Sequence, residues 1–199
     1  MNEQNQHLEN LREIKNLMIQ SSKSGSLSGI AGIIIGILAI SGVGLSYILL
    51  EKSPLDPGYH LIERDKFDIL ILIAFTVLFL SVATGAIMAI KKNTWKDLAT
   101  KKLLFNLFIP LIVGGIYSIT LYYQGLFGWI APVTMIFYGL GLFNAGKFSM
   151  PEIQFLGVIF CAIGLFATFL IDYGLLIWAF GFGILHLIFG FIIHMKYEK

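Results

Sequence analysis

The sequence predicts an all-α, polytopic membrane protein with six transmembrane helices and a short N-terminal amphipathic helix. Three observations predict it. Apolar runs fill residues 27–50, 67–90, 103–123, 126–145, 153–171 and 175–193, with no Asp, Glu, Lys or Arg beyond their margins. Each reaches or approaches the ~20 residues that a helix needs to cross ~30 Å of hydrocarbon. The composition, 57% hydrophobic and 13% charged with a mean hydropathy of +0.81, suits lipid as solvent far better than water. The basic residues are segregated: placing the N-terminus inside leaves only Lys52, Arg64 and Lys66 outside, against eleven of the 14 inside. Short Lys- and Arg-rich loops stay cytoplasmic, so the asymmetry predicts an even number of crossings with both termini in the cytoplasm. The net charge of +2 follows from that topology and calls for no nucleic acid. Membrane lipid is the first expected partner, and inner-face lysines meet anionic headgroups at ~1 kcal/mol each.

Residues 1–26 form a cytoplasmic segment in which Leu8, Leu11, Ile14 and Met18 recur every three or four positions between charged residues. That is one apolar stripe on a short helix, suited to the inner interface, the underside of the bundle or a partner helix. Ser21, Ser22, Ser24, Gly25 and Ser26 then read as a hinge into the transmembrane domain, residues 27–199. The first apolar run exceeds the ~7 to 15 residues of a signal-peptide core and reads as a retained span.

The first span carries Ser24, Ser28, Gly32 and Gly36 at intervals of four. Small residues at this spacing let two helix backbones approach closely, which predicts a packing face for another helix of the chain, a second copy, or a different membrane protein. The loop after it gathers Glu51, Asp56, His60, Glu63, Asp65 and Asp68. His60 and Glu63 have a spacing that metal ligands can use, but Lys52, Arg64 and Lys66 make a self-paired, solvated loop the expected state, with no bound metal.

The second and third spans are joined through Thr94 and Asp97, which read as a helix start, with Trp95 as an interfacial anchor. The third span carries Asn106, Tyr117, Thr120 and Gln124 and is interrupted by Pro110; the fourth carries Thr134, Tyr138 and Pro132. Both prolines remove amide donors and are expected to bend their helices. The fifth span starts at Ser149, Pro151 and Glu152, another helix-start pattern, and contains Cys161, the only cysteine. In the sixth, Ala179, Gly183, His186, Gly190 and His194 share a face, so His186 sits deep in the membrane. An ionisable side chain at that depth suggests function, yet no acid lies at its level, so a neutral imidazole bonded to a hydroxyl or carbonyl is expected rather than a proton carrier. Trp129 and Trp178 read as outer anchors.

A shift of 49 residues aligns Gly115 with Gly164, Gly125 with Gly174, Trp129 with Trp178 and Lys147 with Lys196, which suggests that the last four spans are two copies of one hairpin. The segment GLFATFLIDYGLLIWAFGFGILHLIFGFII, residues 164–193, resembles the repeated hairpin of the HdeD-like acid-resistance membrane proteins. The chain as a whole, with SLSGIAGIIIGILAISG and APVTMIFYGLGLFNAGKF, looks like an uncharacterised group of bacterial six-pass proteins. These resemblances imply a six-pass inner-membrane fold and, from the first, a role in stress resistance.

No His-Glu-x-x-His, phosphate-binding Gly-Lys loop or Gly-x-Ser-x-Gly occurs. The expected function is therefore a non-enzymatic structural, stress-response or regulatory subunit without a cofactor, acting through helix packing. The alternatives are a small permease or channel lined by Asn106, Tyr117, Thr120, Gln124, Tyr138 and His186, and a sensor reading cations or pH through the outer loop.

Overall fold

The computed structural model describes residues 11–12, 28–51, 55, 58, 61 and 63–198. Apart from Leu11 and Arg12, the amphipathic pattern of residues 1–26, with Ser24 and the hinge, and Asp56 and His60 of the loop, lie outside the described residues. Helices make up the fold, with no strand among the described residues. They are α1 (Gly29–Leu50), α2 (Arg64–Lys91), α3 (Leu98–Tyr123), α4 (Ile130–Ala145), α5 (Pro151–Ala167), α6 (Gly174–Trp178) and α7 (His186–Tyr197). A π-helical stretch, Ala179–Leu185, joins α6 to α7 without a break, and the three pieces form one last span. Short 3-10 turns, Phe127–Trp129 and Ile171–Tyr173, lead into α4 and α6.

Among the described residues, five helical stretches are long and apolar enough to cross a membrane: Gly29–Leu50, Arg64–Lys91, Leu98–Tyr123, Phe127–Phe148 and Ile171–Tyr197. The apolar α5 has 17 residues, about 25 Å at 1.5 Å per residue, because its α-helical run stops at Ala167 before the expected end of the fifth run. The 3-10 turn at Ile171–Tyr173 carries the chain onward to α6.

Two packing seams organise the bundle. In lipid the hydrophobic effect does not drive helices together, so close backbone approach must do so. Along α4 and α5 a Cβ on Gly139 would sit 2.6 Å from the Gly157 carbonyl oxygen, and one on Gly157 would sit 2.5 Å from the Phe143 nitrogen. Between α1 and the last span, a Cβ on Gly36 would lie 2.8 Å from the Gly183 carbonyl oxygen, and one on Gly190 would lie 2.6 Å from the Ile33 nitrogen. Around these seams Met135 and Leu142 of α4, Leu156 and Phe160 of α5, and Leu185 and Phe189 of the last span form the core. On the other side of α4, Gly114 of α3 seats against the Phe137 ring, while α2 packs chiefly along α1.

Polar ties close both ends. At one end Glu198, just past α7, binds the start of α1 and the last turn of α2, and Glu152 at the start of α5 binds Lys196 and Tyr197. At the other end the Tyr122 hydroxyl donates to Asp68 at 2.6 Å, Arg64 stands 5.3 Å over the Tyr122 ring, and Phe67 stacks on Phe127 at 4.4 Å. The start of α1 and the end of α7 therefore share one end of the bundle.

Several local expectations change. Pro132 stands in the first turn of α4, where amides have no helical acceptor anyway, so its missing donor costs nothing there. Pro110 is inside a continuous α3. Asp97 is the residue before α3 but makes no side-chain capping bond, and the Thr94 hydroxyl instead donates back to the Ala89 carbonyl at 3.3 Å. Asn93, at φ 55°, turns the chain out of α2, a conformation that Asn tolerates. The 3-10 turns before α4 and α6 begin at Phe127 and Ile171, so equivalent turns are 171 − 127 = 44 residues apart rather than 49. On the 49-residue alignment Trp129 ends a 3-10 turn while Trp178 ends α6, and their places in the two hairpins differ.

Candidate functional site

The buried ionisable group of the core is His186, 5% exposed, at the first position of α7. The π-helical stretch before it contains Gly181 and Gly183, and its wider turn aligns His186 with a carbonyl five residues back. His186 Nδ1 lies 3.3 Å from the Gly181 carbonyl oxygen, and Nε2 lies 2.7 Å from the Tyr138 hydroxyl of α4. A carbonyl only accepts, so Nδ1 carries the proton, Nε2 accepts, and the Tyr138 O–H donates. Phe182 stacks on the imidazole at 5.9 Å and Phe160 meets it edge-on at 5.4 Å. Both ring nitrogens are thus occupied by the chain itself, and the pair ties α4 to the last span inside an aromatic box. A π-turn often marks a functional position, and here the carbonyl of one of its residues, Gly181, orients the imidazole. Tyr138→Phe is expected to lower stability by about 1 kcal/mol, the scale of interhelical hydrogen bonds in membranes. Chemical unfolding in mild detergent would read it, and the double change with His186→Phe should cost less than the two single costs added.

Of the six residues expected to line a pathway, the structure brings together only Tyr138 and His186. Tyr117 is half exposed, Thr120 and Gln124 are exposed, the Asn106 amide donates to the Lys102 carbonyl at 2.8 Å, and the Thr120 hydroxyl donates to Ile116 at 3.3 Å. The reason is angular. The buried line of α3 runs through Leu103, Gly114 and Leu121. Tyr117 and Thr120, three and six residues beyond Gly114, turn away from it by roughly 60° and 120° at 100° per residue. Thr134 and Thr168 also bond their own helices, to Ala131 and Leu165. The expected convergent polar lining does not form.

The small-residue stripe of α1 meets the last span of its own chain. Gly32 faces Gly190, Gly36 faces Gly183 and Leu187, and Ser28 is buried against Glu198. A second copy cannot share that face, and any partner of α1 must use its exposed side, which carries Ile37 and Ile48.

Glu198 was not evident as a tie from the sequence, although its spacing from His194 is the helical i, i+4 interval. Its carboxylate accepts from the Ser28 hydroxyl at 2.8 Å, the Gly29 amide at 3.1 Å, His194 Nδ1 at 2.8 Å and the Lys92 ammonium. Burial works against its ionisation, but the bonds from Lys92, His194 and Ser28 outweigh burial and hold its pKa down at about 2. Glu152 accepts from Lys196 and from the Tyr197 hydroxyl in the same part of the bundle.

The remaining feature is an apolar cleft of about 160 Å³ at the end away from Glu198. The inner side of α2, from Phe67 to Val77, forms one wall; Gly42 and Ser46 of α1 form the floor; the starts of α4 and α6, with Trp178, form the other wall. Cys161 lies elsewhere, with its thiol 3.6 Å from the Ile136 carbonyl. Among the described residues no cluster of three or more metal-ligating side chains is present. No family model, curated protein or solved structure matches the chain.

Proposed function

We propose that this chain is a non-enzymatic, six-pass protein of the bacterial inner membrane, with both termini in the cytoplasm, serving as a structural, stress-response or regulatory subunit. The observation that carries the reading is that, apart from the buried Thr100 hydroxyl, which has no partner among the described residues, the buried polar side chains within the apolar helices spend themselves on their own chain. His186 bonds Tyr138 and Gly181, and the less buried hydroxyls of Thr76, Ser81, Thr84 and Ser118 each donate to a carbonyl four residues back. Such bonding holds a bundle together and leaves little polar surface for a solute or a reacting group. The sixth crossing is α5, which starts beside the Lys196 and Tyr197 tie at one end and leads into the 3-10 turn at the other, so a locally thinned bilayer accommodates its 17 residues. The end holding Lys92, Lys147 and Lys196 is the cytoplasmic one under the positive-inside rule.

The test has two parts. Reporters active only in the cytoplasm should work when fused to either terminus, and the protein should stay in the membrane fraction after detergent-free lysis. Reporters on opposite faces overturn the topology. For the subunit role, an assembly extracted in mild detergent should weigh more than the single chain's 22.2 kDa. A lone chain at that mass overturns it.

A further inference from the structure

The cleft beside α2 has the length, chemistry and rim of a lipid site. Ten residues separate Phe67 from Val77, about 15 Å of helix, which is half of the ~30 Å hydrocarbon thickness and so the depth of one leaflet. The two hydroxyls at its wall are already used, Ser46 on the Val43 carbonyl at 2.7 Å and Thr134 on the Ala131 carbonyl at 2.9 Å. Of the lining side chains only the Trp178 indole adds a further polar group, so the shaft is almost wholly apolar, and apolar cavities of about this size stay dry and take slim apolar guests. At about 160 Å³ it has room for a stretch of one hydrocarbon chain and not for two chains side by side.

We propose that the cleft holds a single acyl chain of a phospholipid from the leaflet at the Phe67 end, with a zwitterionic phosphate–amine headgroup at its rim. The first turn of α2 sets that rim. Glu63, Arg64, Asp65 and Lys66 are exposed there and alternate in sign, while Asp68 is held by Tyr122. The described residues at that end carry five carboxylates, Glu51, Glu63, Asp65, Asp68 and Asp172, against Arg64 and Lys66, so the rim disfavours a purely anionic headgroup, whereas one carrying both charges meets a partner for each. The bound tail fills the space between α2, which packs chiefly on α1, and the starts of α4 and α6. This inference rests on the bilayer reading above, whose own failure would appear separately as protein in solution after lysis.

The experiment reconstitutes the full chain in lipid discs containing phosphatidylethanolamine with a photoactivatable diazirine in its tail, followed by peptide mapping of the label. Label should concentrate on the segments containing Gly42 to Ser46 and Phe127 to Thr134. Ala74→Phe on α2 and, separately, Thr134→Phe on α4 should each reduce it about tenfold by filling the site, with labelling around Ile116 unchanged. The two substitutions lie on different helices, so misfolding of one leaves the other as the test. Label that follows surface exposure over α2 and α3, indifferent to both substitutions, overturns the site and leaves ordinary surrounding lipid. Equal labelling by a phosphatidylglycerol probe overturns the headgroup assignment.

Discussion

Gly190→Ala is expected to destabilise the protein by about 1–3 kcal/mol, and Gly190→Leu to prevent the first and last spans from packing at all. A methyl group at Gly190 would lie 2.6 Å from the Ile33 nitrogen and 2.8 Å from the Gly29 carbonyl oxygen. Both obstacles are main chain, so no rotamer change relieves them, and α1 and α7 must separate. Separation forfeits the dispersion contacts that substitute for the hydrophobic effect between helices in lipid. Better helix propensity opposes the loss by at most about 1 kcal/mol, so the clash wins. Gly115→Ala supplies the contrast: nothing lies within 4 Å of a Cβ there, and only the propensity gain of about 0.5–1 kcal/mol remains. Thermal or chemical unfolding in mild detergent should therefore move in opposite directions for the two substitutions. Equal shifts would contradict the seam.

Glu198→Ala is expected to cost about 2 kcal/mol, chiefly because it removes the acceptor for the Ser28 hydroxyl and the first free amide of α1, a loss on the scale of a helix cap. Lys92 and His194 add less, because their side chains remain 33% and 30% exposed and water screens them. The same carboxyl sets an acid limb. Its folded pKa of about 2 lies below the ordinary 4.5, so its contribution is complete above about pH 4.5 and fades as pH falls towards 2. Glu198→Gln should flatten stability over that window. An unchanged acid profile in Glu198→Gln would show that the tie contributes no stability.

The helices were legible because each apolar run is bounded by charges or turn formers, and a backbone in lipid must satisfy its own amides. Residues 27–50 became Gly29–Leu50 and residues 67–90 became Arg64–Lys91. The fifth run misled at its end: Phe169 and Leu170 are as apolar as the helix before them, and hydropathy alone does not register where α-geometry stops. The spacing of Gly32 and Gly36 revealed a packing face, and the partner's glycines, Gly183 and Gly190, shared a face in the sequence too. What one-dimensional spacing omits is which stripe meets which. The Tyr138 and His186 bond was hidden for the same reason, since the residues are 48 apart and their meeting depends on a π-turn with no sequence signal of its own. The α3 stripe failed because polar side chains at regular spacing in a membrane helix often bond only to their own backbone.

The pairing of α1 with α7 bears on biogenesis. Gly32 and Gly190 are 190 − 32 = 158 residues apart, so at ~5–20 residues per second the ribosome needs roughly 8–32 s to deliver the mate of a helix already made. On the membrane reading proposed above, the nascent first segment waits through that interval in the translocon or among lipids with its glycine groove uncovered. Any insertase or companion that shelters this groove acts before translation ends and must yield when the closing helix arrives.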